Sequence, residues 1–296
     1  MRQISTIPHL KPRAADANKG SYGRVTVIAG SRGMSGAAVL CGSGALRGGA
    51  GLVRVAAPHG ILPIVAAGNP CYLTAGLPED NLGRLHLSSL PPLLEMLHGQ
   101  TVTVFGPGLG QSPELPGLLG EVLQADETPL VLDADGLNAL AQRAELLKLR
   151  RRPLILTPHP GEFARLTGAS IQEIQGSRQE SAVRFAEIHR VVLVLKGQGT
   201  IVTDGDRVYV NQTGNPGMAT GGTGDVLTGL IGALLGQGLE PFEAAQLGVY
   251  LHGLAGDRAR DDLGEPSLIA SDLIDYLPQA FRQHGQDPTH LQAGSS

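Results

Sequence analysis

Short apolar runs recur along the chain at 24–28, 52–56, 101–105, 130–132, 154–156 and 191–195, most of them rich in valine or isoleucine. Each has the length and β-branched content of a buried strand. Between them, stretches such as 35–47, 113–124 and 177–189 carry apolar residues at helical spacing. Strands alternating with helices predict a mostly parallel sheet, because a parallel neighbour is reached only through a crossover long enough to hold a helix, and such helices cover both faces. After Lys196 the pattern changes. Runs 200–203 and 207–210 flank Asp204-Gly205-Asp206, which predicts a small antiparallel hairpin closing the sheet. The rest reads as helices over 225–235, 241–258 and 271–282, the last capped by Ser271 with Asp272 in its first turn, followed by a frayed tail from His284. No composition break, charge run or internal repeat divides the 296 residues, so the expectation is one α/β domain over 1–296 with a short polar segment in front.

Charge excludes one class of partner: a net charge of −4 leaves no footprint for DNA or RNA. Residues 1–23 carry Lys11, Arg13, Asp16 and Lys19 without a long apolar run, so neither a signal peptide nor a membrane anchor is expected and the chain is placed in the cytoplasm. Two cysteines, Cys41 and Cys71, make no disulfide framework and read as reduced core thiols. The outlier is glycine, 42 residues against a usual share of about 7%. Many stand directly after the apolar runs, where a missing Cβ lets backbone approach a helix or a ligand.

Open parallel sheets bind ligands beyond the carboxyl ends of their strands. Five loops there are unusual: Gly30 to Gly33 running into Ala37, Gly106 to Gly110, Asp133 to Gly136, Thr157 to Glu162, and Lys196 to Thr200. A sixth segment, ending in Gly221-Gly222-Thr223-Gly224-Asp225, opens a helix apolar almost all round and therefore buried. The free N–H groups of that first turn, with glycines that clear the way, make an anion hole. An acid beside an anion hole repels phosphate. Asp225 makes sense if it orients or deprotonates a substrate hydroxyl beside a transferred phosphoryl group; the alternative is an ordinary first-turn aspartate. Gly106 to Gly110 is either a ligand loop or a turn demanded by packing. His159, stiffened between Pro158 and Pro160, either meets substrate or caps the following helix with Glu162. The Walker and dinucleotide fingerprints and the hydrolase elbow are missing. No cluster has metal-ligand spacing, whereas Mg²⁺ carried by a nucleotide's phosphates needs few protein ligands.

These motifs, Gly221 to Asp225, Thr157 to Glu162, Lys196 to Thr200, Leu132 to Asn138 and Gly48 to Val53, together resemble the ADP/ATP-dependent NAD(P)H-hydrate dehydratases of the ribokinase-like superfamily. The likeness runs from about residue 19 to 277. It implies a ribokinase-like fold and a lyase that dehydrates (6S)-NADHX or (6S)-NADPHX to NADH or NADPH while ADP or ATP loses its terminal phosphate with Mg²⁺, a repair of damaged cofactor. It implies that Ala37, Gly108 or Gly110, His159 and Asp225 contact the hydrate, with Asp225 catalytic. Lys196, Gly197, Gln198, Gly199, Thr200 and Gly224, with Gly221, Gly222 and Thr223 of the anion hole, would hold the nucleotide, and Asn138 and Glu162 would position phosphates or Mg²⁺. A homotetramer is implied too, as is a separate epimerase acting on the same hydrate, since the chain is too short to include the epimerase half that many members carry. The competing readings are a vitamin-precursor type of small-molecule kinase on the same fold, a nucleotide-sensing module, and a nicotinamide oxidoreductase.

Overall fold

A computed structural model describes residues 1–125 and 128–286. The strands in chain order are β1 (Arg2–Gln3), β2 (Arg24–Ile28), β3 (Leu52–Pro58), β4 (Leu73–Leu77), β5 (Val102–Phe105), β6 (Leu130–Leu132), β7 (Leu154–Leu156), β8 (Val192–Leu195), β9 (Ile201–Thr203) and β10 (Arg207–Val210). The helices are α1 (Ser35–Arg47), α2 (Leu62–Gly68), α3 (Leu90–Leu97), α4 (Leu115–Gln124), α5 (Ala134–Gln142), α6 (Pro160–Thr167), α7 (Ile171–Gly176), α8 (Arg178–His189), α9 (Thr223–Gly236), α10 (Pro241–Leu263) and α11 (Ala270–Gly285). One sheet holds all ten strands in the order β1-β10-β9-β8-β7-β6-β5-β2-β3-β4. Among the described residues only β9 runs against the others.

Alternate residues of each strand feed two cores. Val25, Val27, Val53 and Val55 pack with α1, α9, α10 and α11, while Ile28, Ala56, Phe105 and Leu132 pack with α3 to α8 on the other face. This division follows from the period of two along a strand. Helix α9 lies in the first core with every residue from Val226 to Gly236 buried. It crosses α1 backbone to backbone: a Cβ on Gly229 would stand 1.9 Å from the Cys41 carbonyl oxygen, so glycine is required there.

From β2 the chain winds outward to β3 and β4, then returns to place β5 on the other side of β2. The strand order reverses between β2 and β5, and the loops after these two strands part to form a crevice. Gly30 N–H donates to the Pro107 carbonyl at 2.8 Å, and Ser31 Oγ to the Gly108 carbonyl at 2.8 Å, which pins the two loops together.

Several boundaries differ from expectation. The predicted hairpin forms as β9 and β10, yet it does not close the sheet, because β1 adds to β10 in parallel. Strand β4 has a half-exposed pattern and no β-branched run, so it carried no periodic signal. The last helix begins at Ala270, not after Ser271, with the Asp272 carboxylate accepting from the Ile269 N–H at 2.8 Å; an acid at the third helical position does the work expected of the cap. That helix continues to Gly285, and His284 is buried with its ring stacked on His9 at 3.9 Å. The remainder of the expected tail, 287–296, lies outside the described residues. Cys41 is buried as expected, but Cys71 is exposed, and both are free thiols. No described helix is long and apolar enough to cross a membrane.

Candidate active site

Strands β6, β7 and β8 are neighbours, so the loops that follow them meet at one rim. Asp133 follows β6 and is 1% exposed. Its Oδ1 stands 2.8 Å from Nζ of Lys196, which follows β8, and its Oδ2 accepts from Thr228 Oγ1 at 2.6 Å. Thr228 lies one turn into α9, and its Oγ1, whose single proton goes to the carboxylate, also stands 3.0 Å from the Gly224 carbonyl. A single carboxylate thus ties the start of α9 to the sheet, and the Lys196 side chain keeps 19% exposure beneath Gly224, where an added Cβ would stand 3.3 Å from Nζ. Burial opposes the Lys196 charge, but Asp133 and Glu162 outweigh it and hold its pKa above the ordinary lysine value. The ammonium therefore remains charged at the positive end of the α9 dipole, a combination suited to phosphoryl oxygens.

Asp225 occupies the first turn of α9. Burial, then the like charge of Asp133, pushes its carboxyl up to about 7, with Lys196 pulling the other way. Such a group exchanges a proton near neutrality, which is what a general base for a hydroxyl needs. Underneath, His252 of α10 donates from Nε2 to the Thr223 carbonyl at 2.9 Å. Burial lowers its pKa to about 4, so this support for the α9 turn is neutral and indifferent to pH near 7.

Ala37 and Gly108 stand against each other at the crevice. Gly108 has φ 61°, and a Cβ there would come within 2.7 Å of the Ala37 Cβ. Gly110 N–H donates to Asp135 Oδ2 at 2.8 Å. Between Asp133 and Asp135 the chain passes through Ala134 at φ 49°, a conformation costly for a residue with a Cβ and typical of functional turns.

His159 realises the capping alternative. Its Nδ1 accepts from the N–H groups of Gly161 at 3.0 Å and Glu162 at 3.3 Å, and Glu162 Oε2 accepts from the His159 N–H at 2.8 Å. Burial, then the Lys196 charge, lowers the His159 pKa, consistent with a neutral ring whose Nδ1 accepts and whose Nε2 carries the proton. The side chain remains 51% exposed, with Nε2 standing 3.5 Å from Glu162 Oε1. Glu162 is buried and its pKa raised, by burial first. Asn138 is engaged on both sides, donating to Asp135 Oδ1 at 3.3 Å and accepting from Arg165 Nε at 2.9 Å.

The Lys196 to Thr200 loop is held from outside by Arg178, whose guanidinium donates to the carbonyls of Leu195 (3.3 Å), Lys196 (3.1 Å) and Gln198. Thr200 Oγ1 closes it by donating to the Gly197 carbonyl at 2.9 Å. Gly221 and Gly222 precede α9, where a Cβ on Gly221 would meet nothing within 4 Å, so that approach is open. Among the described residues no group of three or more His, Cys, Asp or Glu is placed to hold a metal ion.

Against known proteins, the sequence profile of the NAD(P)H-hydrate dehydratases matches residues 25–279. The chain belongs to the NAD(P)H-hydrate dehydratase family. It is 41% identical over 272 residues to the ADP-dependent (S)-NAD(P)H-hydrate dehydratase of Neisseria meningitidis serogroup B, covering 90% of this chain and 88% of that protein. It is 47% identical over 274 residues, 92% of its length, to the bifunctional NAD(P)H-hydrate repair enzyme Nnr of Moorella thermoacetica, of which it spans 52%. The chain therefore spans about half the length of several curated relatives. The solved Bacillus subtilis ADP/ATP-dependent NAD(P)H-hydrate dehydratase, co-crystallised with ATP and Mg²⁺, superimposes with a TM-score of 0.81 at 34% identity, covering 93% of this chain and 94% of that one. A ribokinase-like superfamily protein of Enterococcus faecalis superimposes with a TM-score of 0.82 at 26% identity. The family and the ribokinase-like fold read from the motifs are thereby borne out.

Within this site, sequence reasoning singled out the Asp133 to Gly136 loop without giving Asp133 a role, and passed over Thr228, Arg178 and His252. Asp133 had a signal, as an acid directly after a strand inside a motif already singled out. The other three sit on helices and reveal their partners only in three dimensions.

Proposed function

We propose that this domain dehydrates (6S)-NADHX or (6S)-NADPHX to NADH or NADPH, cleaving ADP to AMP or ATP to ADP with release of phosphate. The observation that carries the reading is Asp225, a carboxyl pushed up to about 7 in the first turn of α9, one turn from the residue that bonds the Lys196–Asp133 pair. The hydrate's C6 hydroxyl attacks the terminal phosphorus, its proton passes to Asp225, and the bond to the leaving nucleotide breaks. Loss of the C6 phosphate and of a C5 proton then forms the C5–C6 double bond. Phosphate leaves far more readily than hydroxide, so nucleotide cleavage drives an elimination that water alone performs slowly. Lys196 and the N–H groups of Thr223 to Asp225 stabilise the transferred charge. The crevice at Ala37, Gly108 and Gly110 seats the nicotinamide half, with the His159 Nε2 edge as a donor, and Lys196 to Thr200 with Gly221 to Gly224 seats the nucleotide.

Magnesium fits this donor set only as an ion carried on phosphates, because Asp133 is occupied by Lys196 and Thr228, Asn138 by its neighbours and Glu162 Oε2 by the His159 N–H; Glu162 would steady the ion through its other oxygen, and the ion would neutralise phosphate charge. Two free thiols fit a reducing cytoplasm. A homotetramer and supply of hydrate by an epimerase belong to the same proposal, and sedimentation of the purified protein tests the first.

The test follows the near-ultraviolet absorbance of reduced nicotinamide after Mg²⁺ and ADP or ATP are added to NADHX with the protein. NADH formed only with nucleotide, with one phosphate released per NADH, is the expected result. A stable phosphoester in place of free phosphate would turn the assignment to a small-molecule kinase.

A further inference from the structure

Arg54 lies in β3 with a half-buried side chain, and no described residue gives its guanidinium a hydrogen bond or an ion pair. Its register partner in β2 is Thr26, wholly buried, whose Oγ1 also lacks a partner. Both stand on the sheet face that carries Ile28 and Ala56 toward α3 and α4. An arginine has five donors in a fixed fork, and leaving them unmet beside a buried hydroxyl is costly. Two residues back along β2 on the same face is Arg24, whose guanidinium makes, among the described residues, one hydrogen bond, a 3.4 Å contact from Nη1 to the Gly99 carbonyl. Arg24 and Arg54 open into a cavity of about 360 Å³ that is also lined by Asn18, Lys19, His98 and Gln100. Among the described residues no carboxylate lines it, although acids outnumber bases in the chain. The cavity sits at the amino ends of β2 and β3, the opposite end of the sheet from Asp225.

We propose that this cleft is a second anion site, which takes the phosphate or diphosphate group of a small phosphorylated molecule. The Arg54 fork binds two phosphoryl oxygens side by side, Arg24 neutralises from the strand start, and Lys19, Asn18 and Gln100 close the rim as further donors. Its volume, at the small end for ligand sites, suits a phosphate ester and not a whole dinucleotide. The inference does not depend on the reaction at Asp225.

Isothermal calorimetry with inorganic pyrophosphate tests it on wild-type protein, Arg54→Ala, Arg54→Lys and Lys19→Ala, each first checked for an unchanged ligand-free melting temperature. Arg54→Ala weakens the cleft's binding by about tenfold or more, Arg54→Lys by less because it keeps the charge and loses the fork, and Lys19→Ala by about threefold. Should Arg54→Ala fail to fold, Lys19→Ala remains decisive, since that side chain is exposed. Repeating the series with AMP separates a cleft that reads phosphate alone, where AMP binds no better than inorganic phosphate, from one that also seats the nucleoside; an arginine-dependent response in either arm supports the site. Equal pyrophosphate affinity in wild type, Arg54→Ala and Lys19→Ala, or no binding to wild type, overturns it.

Discussion

The two halves of the crevice are built by opposite means. At the start of α9, charges do the work: Asp133, Lys196, Glu162 and Asp225 gather where solvent is scarce, and each changes the proton affinity of the next. At Ala37, Gly108 and Gly110, shape does the work, with loops pinned by neutral hydrogen bonds and a missing Cβ setting how closely a ligand can approach. The first half is tuned to a reaction and the second to an outline. Substitutions in the charged half should therefore change rate, pH response and stability, whereas those in the shaped half should change which molecule fits.

The largest expected effect is loss of turnover in Asp225→Asn, by roughly 10²- to 10⁴-fold, with nucleotide affinity kept or improved. In the wild type, turnover should rise with pH through about 7, as the carboxyl gives up its proton; a rate flat from pH 5 to about 8 would remove Asp225 as the base. Next comes Asp133→Asn, which strands the Lys196 ammonium and should cost about 3 kcal/mol of folding stability in chemical unfolding. If stability is unchanged, the pair is not the tie between sheet and α9 described above. Gly108→Ala should then raise KM for the hydrate roughly tenfold to a hundredfold with nucleotide affinity unchanged. A loss of nucleotide affinity instead would dissolve the distinction between the halves.

The smallest effect concerns the folded state alone. Asp225 has a folded pKa above its unfolded value, so an ionised carboxyl costs stability, increasingly as pH rises from about 4 through 7. Asp225→Asn should consequently stabilise the ligand-free protein at pH 8, by about 2 kcal/mol after allowance for the carboxyl's partial solvent access, and hardly at all at pH 4. Melting curves at the two pH values check the sign.

Much of this was legible beforehand, for reasons tied to particular residues. Val25, Val27, Val53 and Val55 alternate or cluster as buried strands do, and the α9 run 226–236 is apolar on every side, so burial could be read directly. The loops named from strand ends do share one rim, because in a parallel sheet all carboxyl ends point the same way. What stayed hidden was pairing at a distance. Asp133 and Lys196 are 63 residues apart, and Asp133 and Thr228 95, separations on which local pattern is silent. His159 shows a third case: two prolines announced a fixed side chain and left substrate contact and capping of α6 both open, and only the folded geometry shows Nδ1 spent on the cap. Strands β1 and β4 escaped because an edge strand needs no apolar run.

The Lys196–Asp133 pair has one more consequence, for the speed of encounter. A lone buried ammonium would send its field into solvent and draw phosphates from a distance, but here the neighbouring carboxylate cancels most of that field before any ligand arrives. Nucleotide capture should accordingly proceed at an ordinary diffusive rate that added salt barely slows, with the lysine's attraction felt only after the phosphates have come within contact range.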